Sequence, residues 1–215
     1  VKLNYKVNVS ARSLGAGRTG MIGLAIPGLA HPYFAELAQA VVVAAQERGL
    51  GVLIEVTNGD RGHEEAVIDG SRGRTVDGVI FGPLTLNPSD IEEATLDVPV
   101  VLIGDRVYEG RYDFIGAPNV DGSAEATAHL LRTGRRRIAV LGVERDDVPT
   151  AAAQRFQGYR SALEAAGVLL ENDLTVGPIP WTRTGGAEAI AQLLDDRIAF
   201  DAVLGLNDAL ALGAL

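Results

Sequence analysis

Asp105, in the run IGDR (103–106), and Arg155, in QRFQGYRSALEAAG (154–167), are residue types that suit a common piece of chemistry. A carboxylate accepts from hydroxyls and a guanidinium donates in a planar fork, so the two facing one crevice would grip the vicinal hydroxyls of a polyol. Each also has a plainer reading: strand-end aspartates cap turns, and helix arginines form surface ion pairs. In AIPGLAHPYFAEL (25–37), prolines force a loop after an apolar run, His31 follows, and Tyr33 and Phe34 open a helix. Aromatic faces beside a helix N-terminus make a platform for a sugar ring, although Phe34 could equally pack in a core and Tyr33 lie on a surface. Trp181, the only tryptophan, lies in the loop PIPWTRTGG (178–186), where stacking against a ring and core packing are both open. Asn207 and Asp208 follow an apolar strand in DAVLGLNDALALGAL (201–215) and either cap a helix or point at a ligand.

Other chemistries lack their residues. The sequence has no cysteine, which removes disulfides, thiolate metal sites and cysteine nucleophiles together. No G-x-G-x-x-G follows the first strand-like run and no G-x-x-x-x-G-K-[ST] occurs. His31 has no nucleophile or carboxylate partner nearby in sequence, so it reads as a ligand or subunit contact, not a base. No catalytic activity, metal or cofactor is expected.

The elements that must position these residues are legible as alternating patterns. Strand-like runs are MIGLAI (21–26), GVLIEV (51–56), DGVIFG (77–82), VPVVLIG (98–104), RIAVLG (137–142) and DAVLGL (201–206). Helical stretches fall between them at 33–48, 62–75, 89–95, 121–133, 154–166 and 184–195, with Ser89, Asp121 and Thr184 as candidate caps. Such alternation predicts an α/β fold of parallel sheets with helices on both faces, and such apolar strands suit cover on both sides. GAPNVD (116–121) interrupts the pattern, dividing the body into lobes at 21–118 and 119–215 with a cleft between them. After Ala202–Leu206 only NDALALGAL remains and no further strand returns to the sheet, so the second lobe is expected to be incomplete.

Charge separates the N-terminus from the rest. Residues 1–20 carry Lys2, Lys6, Arg12 and Arg18 and no acid, whereas the whole chain has a net charge of -9. A basic arm thus precedes an acidic body. Within the arm, Ala11, Arg12, Ser13 and Leu14 are in helical phase before Gly15 and Gly17 break it. A helix of about two turns is too short to be stable alone and needs a surface to organise it, DNA being one candidate and a disordered tail the alternative. The triplet Arg135 to Arg137 reads as a solvated turn. No run approaches the roughly 18 apolar residues of a membrane helix and no export signal is visible, so a cytoplasmic location is expected.

Tyr5, Asn8, Ala11, Arg12, Leu14, Gly17, Arg18 and Thr19, followed by IGLAIP, resemble the junction of the LacI/GalR family of transcriptional repressors. Val7 stands where that family often has proline. HPYF (31–34) is similar to the family's N-P-F-F, RFQGY (155–159) to its R-F-x-G-[YW], and 207–208 to its Asn-Asp pair. In 116–142, Asn119, Gly122, His129, Leu130, Gly134, Arg136, Arg137 and Ile138 match the family's crossover, with Pro118 replacing an aspartate. The resemblance runs in order from residue 5 to 215. It implies a two-lobed, periplasmic-binding-protein-like (type I) fold and a cytoplasmic homodimer. A small effector, expected to be a sugar, would lie at His31, Tyr33, Phe34, Asp105, Arg155, Trp181, Asn207 and Asp208. It further implies operator DNA as partner, contacted through a hinge segment (1–20) at Asn8, Ala11, Arg12 and Leu14 and through a helix-turn-helix absent from this sequence. Leu14 would be the wedge between base steps. The rival expectation is a periplasmic sugar-binding protein of a transport system, which shares the fold.

Overall fold

The computed structural model describes residues 18–69, 76–94, 97–104, 110–144 and 150–215. Asp105 and the hinge candidates Asn8, Ala11, Arg12 and Leu14 lie outside the described residues. The chain divides into two units, Val1–Gly116 and Ala117–Leu215.

The first unit runs β1 (Met21–Ile26), α1 (Pro32–Glu47), β2 (Gly51–Val56), α2 (Arg61–Ile68), β3 (Val79–Phe81), α3 (Pro88–Glu92), β4 (Val100–Gly104) and β5 (Asp113–Gly116). Its strands lie in the order β2-β1-β3-β4-β5, every pair parallel. Leu24, Ile26 and Ile103 pack with Phe34, Leu37, Ala38 and Val41 of α1. Their neighbours Ala25, Val79, Phe81, Val100 and Leu102 pack with Val67 and Ile68 of α2 and Ile91 of α3. Successive side chains leave a pleated strand on opposite faces, so an unbroken apolar run requires helices on both.

The second unit follows the same rule with α4 (Asn119–Arg132), β6 (Ile138–Leu141), α5 (Ala151–Ala165), β7 (Thr175–Val176), α6 (Arg183–Asp195), β8 (Ala202–Gly205) and α7 (Asp208–Gly213). Its parallel sheet has the order β7-β6-β8. Ile138 and Val140 pack against Leu131 of α4 and Tyr159 and Leu163 of α5. Ala139 and Leu141 pack on the other face against Ala189 and Leu193 of α6 and Leu210 of α7.

Several local expectations need correction. Asn87, not Ser89, caps α3: its side chain accepts from the Asp90 amide at 3.1 Å, and Asp90 accepts from the Asn87 amide at 2.8 Å. Pro88 supplies the fixed φ of the first helical position, which places the cap at Asn87, two residues before Ser89. Thr182, not Thr184, caps α6 by accepting from Gly185 at 3.1 Å. Asp121 lies in the first turn of α4, which starts after Pro118 with no side-chain cap. Strands β5 and β7 carried no visible signal: β7 is two residues long, and β5 exposes Asp113 and Ile115.

Residues 19–20 are tied to the start of β3. The Asp77 carboxylate accepts from the Thr19 amide at 2.7 Å, the Thr19 hydroxyl at 3.0 Å and the Gly20 amide at 2.8 Å. Gly20 has φ 72°, a left-handed conformation that glycine adopts without strain. The Thr19 amide above all, joined by the Gly20 amide and the Thr19 hydroxyl, holds the Asp77 carboxyl below its ordinary 3.8 against the opposing effect of burial, which is second in size.

A carboxyl depressed by folding contributes stability above its unfolded pKa, and that contribution is lost as pH falls through the folded value. Asp77→Asn should therefore lower the urea midpoint at pH 7 and converge with wild type below the ordinary aspartate range; coincident midpoints at pH 7 would contradict the tie. Helices α4 and α5 touch at Gly158, where a β-carbon would be driven against Val120 O, Ala124 N and Ser123. Gly158→Ala, worth about +1 kcal/mol in an exposed helix, should here lose about 1–3 kcal/mol to overpacking in urea unfolding.

Candidate functional site

In a parallel sheet all strand C-termini open on one edge, and a crevice forms where connections leave in opposite directions. In the second unit that point lies between β6 and β8, whose chain exits are Gly142 and Leu206. Arg155, in the first turns of α5, reaches it. Its Nε donates to Asn119 Oδ1 at 2.7 Å and its Nη1 donates to the Leu206 carbonyl. The guanidinium carbon stands 5.7 Å from the centroid of the Trp181 ring, within cation–π range. Trp181 Nε1 donates to the Gly142 carbonyl at 3.1 Å, and its ring packs against the core layers on both faces of the sheet. Loop position and core packing are thus both true of this residue. Asn207 Nδ2 donates to the Trp181 carbonyl at 3.4 Å while its Oδ1 caps α7 by accepting from Leu210 at 2.8 Å. Asp208 is exposed in the first turn of α7.

The helix bearing Arg155 is itself held at this edge. Thr150 caps it by accepting from Ala153 at 3.2 Å and donates to Glu144 at 2.9 Å. Tyr159, one turn beyond Arg155, is buried and donates to the Ile138 carbonyl at 2.8 Å. Burial pushes its phenol up to about 12, so it stays a donor at neutral pH. The sequence reading singled out Arg155, Trp181 and Asn207, which converge here. It did not assign a site role to Asn119, which is 6% exposed and also donates to Gln154 at 3.4 Å. An asparagine at a helix start looks like a cap, and nothing local distinguishes the two uses.

In the first unit the corresponding point lies between β1 and β3. His31 caps α1, its Nδ1 accepting from the Tyr33 amide at 3.3 Å. The His31, Tyr33 and Phe34 rings form an edge-to-face cluster, with centroids 5.9 Å apart for His31–Phe34 and 5.1 Å for Tyr33–Phe34. Tyr33 is 54% exposed, whereas Phe34 packs into the core layer beneath α1. The loop after β3 is fixed by Glu64, fully buried, which accepts from the amides of Leu84 at 2.8 Å, Thr85 at 2.9 Å and Leu86 at 3.1 Å and from the Thr85 hydroxyl at 2.6 Å. Sequence reasoning missed Glu64, although it shares the inward face of α2 with Val67 and Ile68 at helical spacing. Among the described residues no group of three or more His, Asp or Glu could hold a metal ion, and no helix is long and apolar enough to cross a membrane.

Two successive parallel sheets, each covered by helices on both faces, define the periplasmic-binding-protein-like class. A family model described as periplasmic binding proteins and sugar binding domain of LacI family matches residues 19–215, and the chain belongs to this family. The regulator CelR of Thermobifida fusca is 34% identical over 225 residues, covering 100% of this chain and 64% of CelR. A LacI-family transcriptional regulator of known structure from Sanguibacter keddieii is 42% identical with a TM-score of 0.81, over 92% of this chain and 70% of that one. A structure of a transcriptional regulator CelR–cellobiose complex is 29% identical with a TM-score of 0.76, over 95% of this chain and 65% of that one. The chain spans 64% of the length of CelR and of a second curated relative, the regulator DegA of Bacillus subtilis.

Because Asn207 both caps α7 and bonds to the Trp181 loop, Asn207→Ala should cost about 1 kcal/mol in denaturant unfolding and shift Trp181 emission. Asn207→Ser should recover the stability and not the emission. Recovery of both would reduce Asn207 to a cap.

Proposed function

We propose that this chain is the effector-sensing part of a cytoplasmic, homodimeric transcriptional repressor that takes up a sugar at the Arg155 crevice and changes its hold on operator DNA in response. The observation that carries this reading is the guanidinium held rigidly between Asn119 and Leu206 beside an indole face. A planar donor fork next to an aromatic ring matches the hydroxyl edge and C–H face of a pyranose or furanose. Asp105, His31, Tyr33, Phe34, Trp181, Asn207 and Asp208 are proposed to complete the set. The named relatives, each a transcriptional regulator and one in complex with cellobiose, support regulation over the transport reading and over catalysis. The N-terminal segment, through Asn8, Ala11, Arg12 and Leu14, is proposed to contact DNA.

A homodimer through α1 and β2 has its own support. Strand β2 is a sheet edge with Leu53, Ile54 and Val56 exposed, and α1 exposes Tyr33, Ala40, Val43 and Ala44. Exposed apolar residues along a free edge suit burial against a second copy.

A thermal-shift screen of the full-length protein against pentoses, hexoses, cellobiose and purines tests the reading. A sugar at about 100 times its Kd should stabilise by about 2.7 kcal/mol, and Arg155→Ala should abolish the rise in melting temperature. A shift that survives Arg155→Ala would move the site elsewhere, and a response to purines alone would replace the sugar.

A further inference from the structure

Strand β1 lies between β2 and β3, and the loops that leave its two neighbours meet across its C-terminal end. On the β3 side, the Gly82 amide donates to the Ala25 carbonyl at 2.9 Å, and the chain then turns through Leu84. On the β2 side stands Gly59, at φ 63°, where a β-carbon would lie 3.4 Å from Leu84 Cδ1. Leu84 thus reaches back over the end of β1 to the loop after β2. Four donors from Leu84, Thr85 and Leu86 converge on Glu64 of α2, the helix that begins just after Gly59, and this carboxylate is fully buried. The resulting turn buries Gly82, Pro83 and Leu86 and leaves Leu84 44% exposed. A buried carboxylate is a costly way to hold a loop, because its desolvation must be offset bond by bond. Four charge-assisted bonds to one centre, however, leave the loop a single geometry. That rigidity falls at the edge where a parallel sheet takes its ligands.

We infer that Glu64 is a positioning residue for effector binding: its carboxylate holds the loop after β3 in the one turn that presents Leu84 as an apolar contact for the C–H face of a sugar. This rests on the proposed uptake of a sugar and adds two residues to the proposed set. A sugar ring offers an apolar C–H face as well as its hydroxyls, and an exposed leucine fixed at the strand C-termini suits the former. Because the turn is already formed, binding does not have to order it, and that ordering cost is removed from the affinity.

The test uses the full-length protein with cellobiose, glucose and ribose as probes, and reads affinity by titration calorimetry well below the unfolding transition, so that folded protein alone is counted. Glu64→Gln keeps the size of the side chain but sets an amino group where an oxygen accepted, so at least one donor loses its partner. Hydrogen exchange at the Leu84, Thr85 and Leu86 amides should quicken, and the probe that the wild type takes should bind roughly tenfold more weakly, as the loop regains freedom that binding must remove. Leu84→Ala leaves the amides and Glu64 in place; it should weaken binding roughly fivefold with exchange at Thr85 and Leu86 unchanged. Should Glu64→Gln not fold, Thr85→Val, which loses only the hydroxyl bond to Glu64, makes the same comparison with smaller changes in the same direction. Faster exchange at unchanged affinity would make the carboxylate a support of the fold alone, and unchanged affinity in Leu84→Ala would remove the contact; either result overturns the inference. Binding that is lost in Arg155→Ala but kept in these variants would leave the sugar reading standing without this one. A wild-type protein that takes none of the three probes would count against the sugar reading first, and this inference would fall with it.

Discussion

A guanidinium whose donors are met by acceptors from two other elements can be correctly placed only when all three elements are in place. Arg155 is such a group: α5 carries it, α4 supplies Asn119, and the exit of β8 supplies the Leu206 carbonyl. A partly buried charge left without these acceptors would be costly, so the contact between α4 and α5 and the register of β8 on β6 are all bound to this residue. The close approach of α4 and α5 at Gly158, one residue before Tyr159, serves the same end. Both acceptors are neutral, so the positive charge is oriented without being cancelled by a carboxylate at those two bonds.

The first unit solves a comparable problem with the opposite charge. Glu64 turns the loop after β3 around one carboxylate, which accepts from three consecutive amides. His31 does so at the start of α1, its Nδ1 accepting from the Tyr33 amide. In each unit, then, side chains facing inward fix the backbone at the strand C-termini, while Tyr33 in the first unit and Asp208 in the second remain exposed there.

How much of this was legible follows from the range of each signal. Strands covered on both faces are uniformly apolar, and amphipathic helices repeat every three to four residues, so the α/β alternation can be read within windows of a dozen residues. Strands β5 and β7 escaped because an exposed or two-residue strand has no such window. Arg155, Trp181 and Asn207 were conspicuous by type, yet no local pattern shows that they meet, since 26 residues separate Trp181 from Asn207 and 51 separate Arg155 from Leu206. Asn119 and Glu64 were missed for a different reason. Each occupies a position that helix ends and helix faces routinely give to polar residues, and only burial distinguishes their use here.

The two ends of β1 place opposite demands on one short strand. Its C-terminal end leads into the His31 and Tyr33 loop, and its N-terminal end is clamped by Asp77, six residues or roughly 20 Å away. That strand lies between β2 and β3 with hydrogen bonds on both sides and is buried at Leu24, Ala25 and Ile26. A close-packed strand of this kind does not stretch or bend appreciably, so information cannot pass along it as internal deformation. What it can do is move as one body with its unit, carrying both ends together. A ligand acting at one end would then affect the other only by favouring one orientation of the whole unit over another, and its effect is bounded by its difference in affinity for the two.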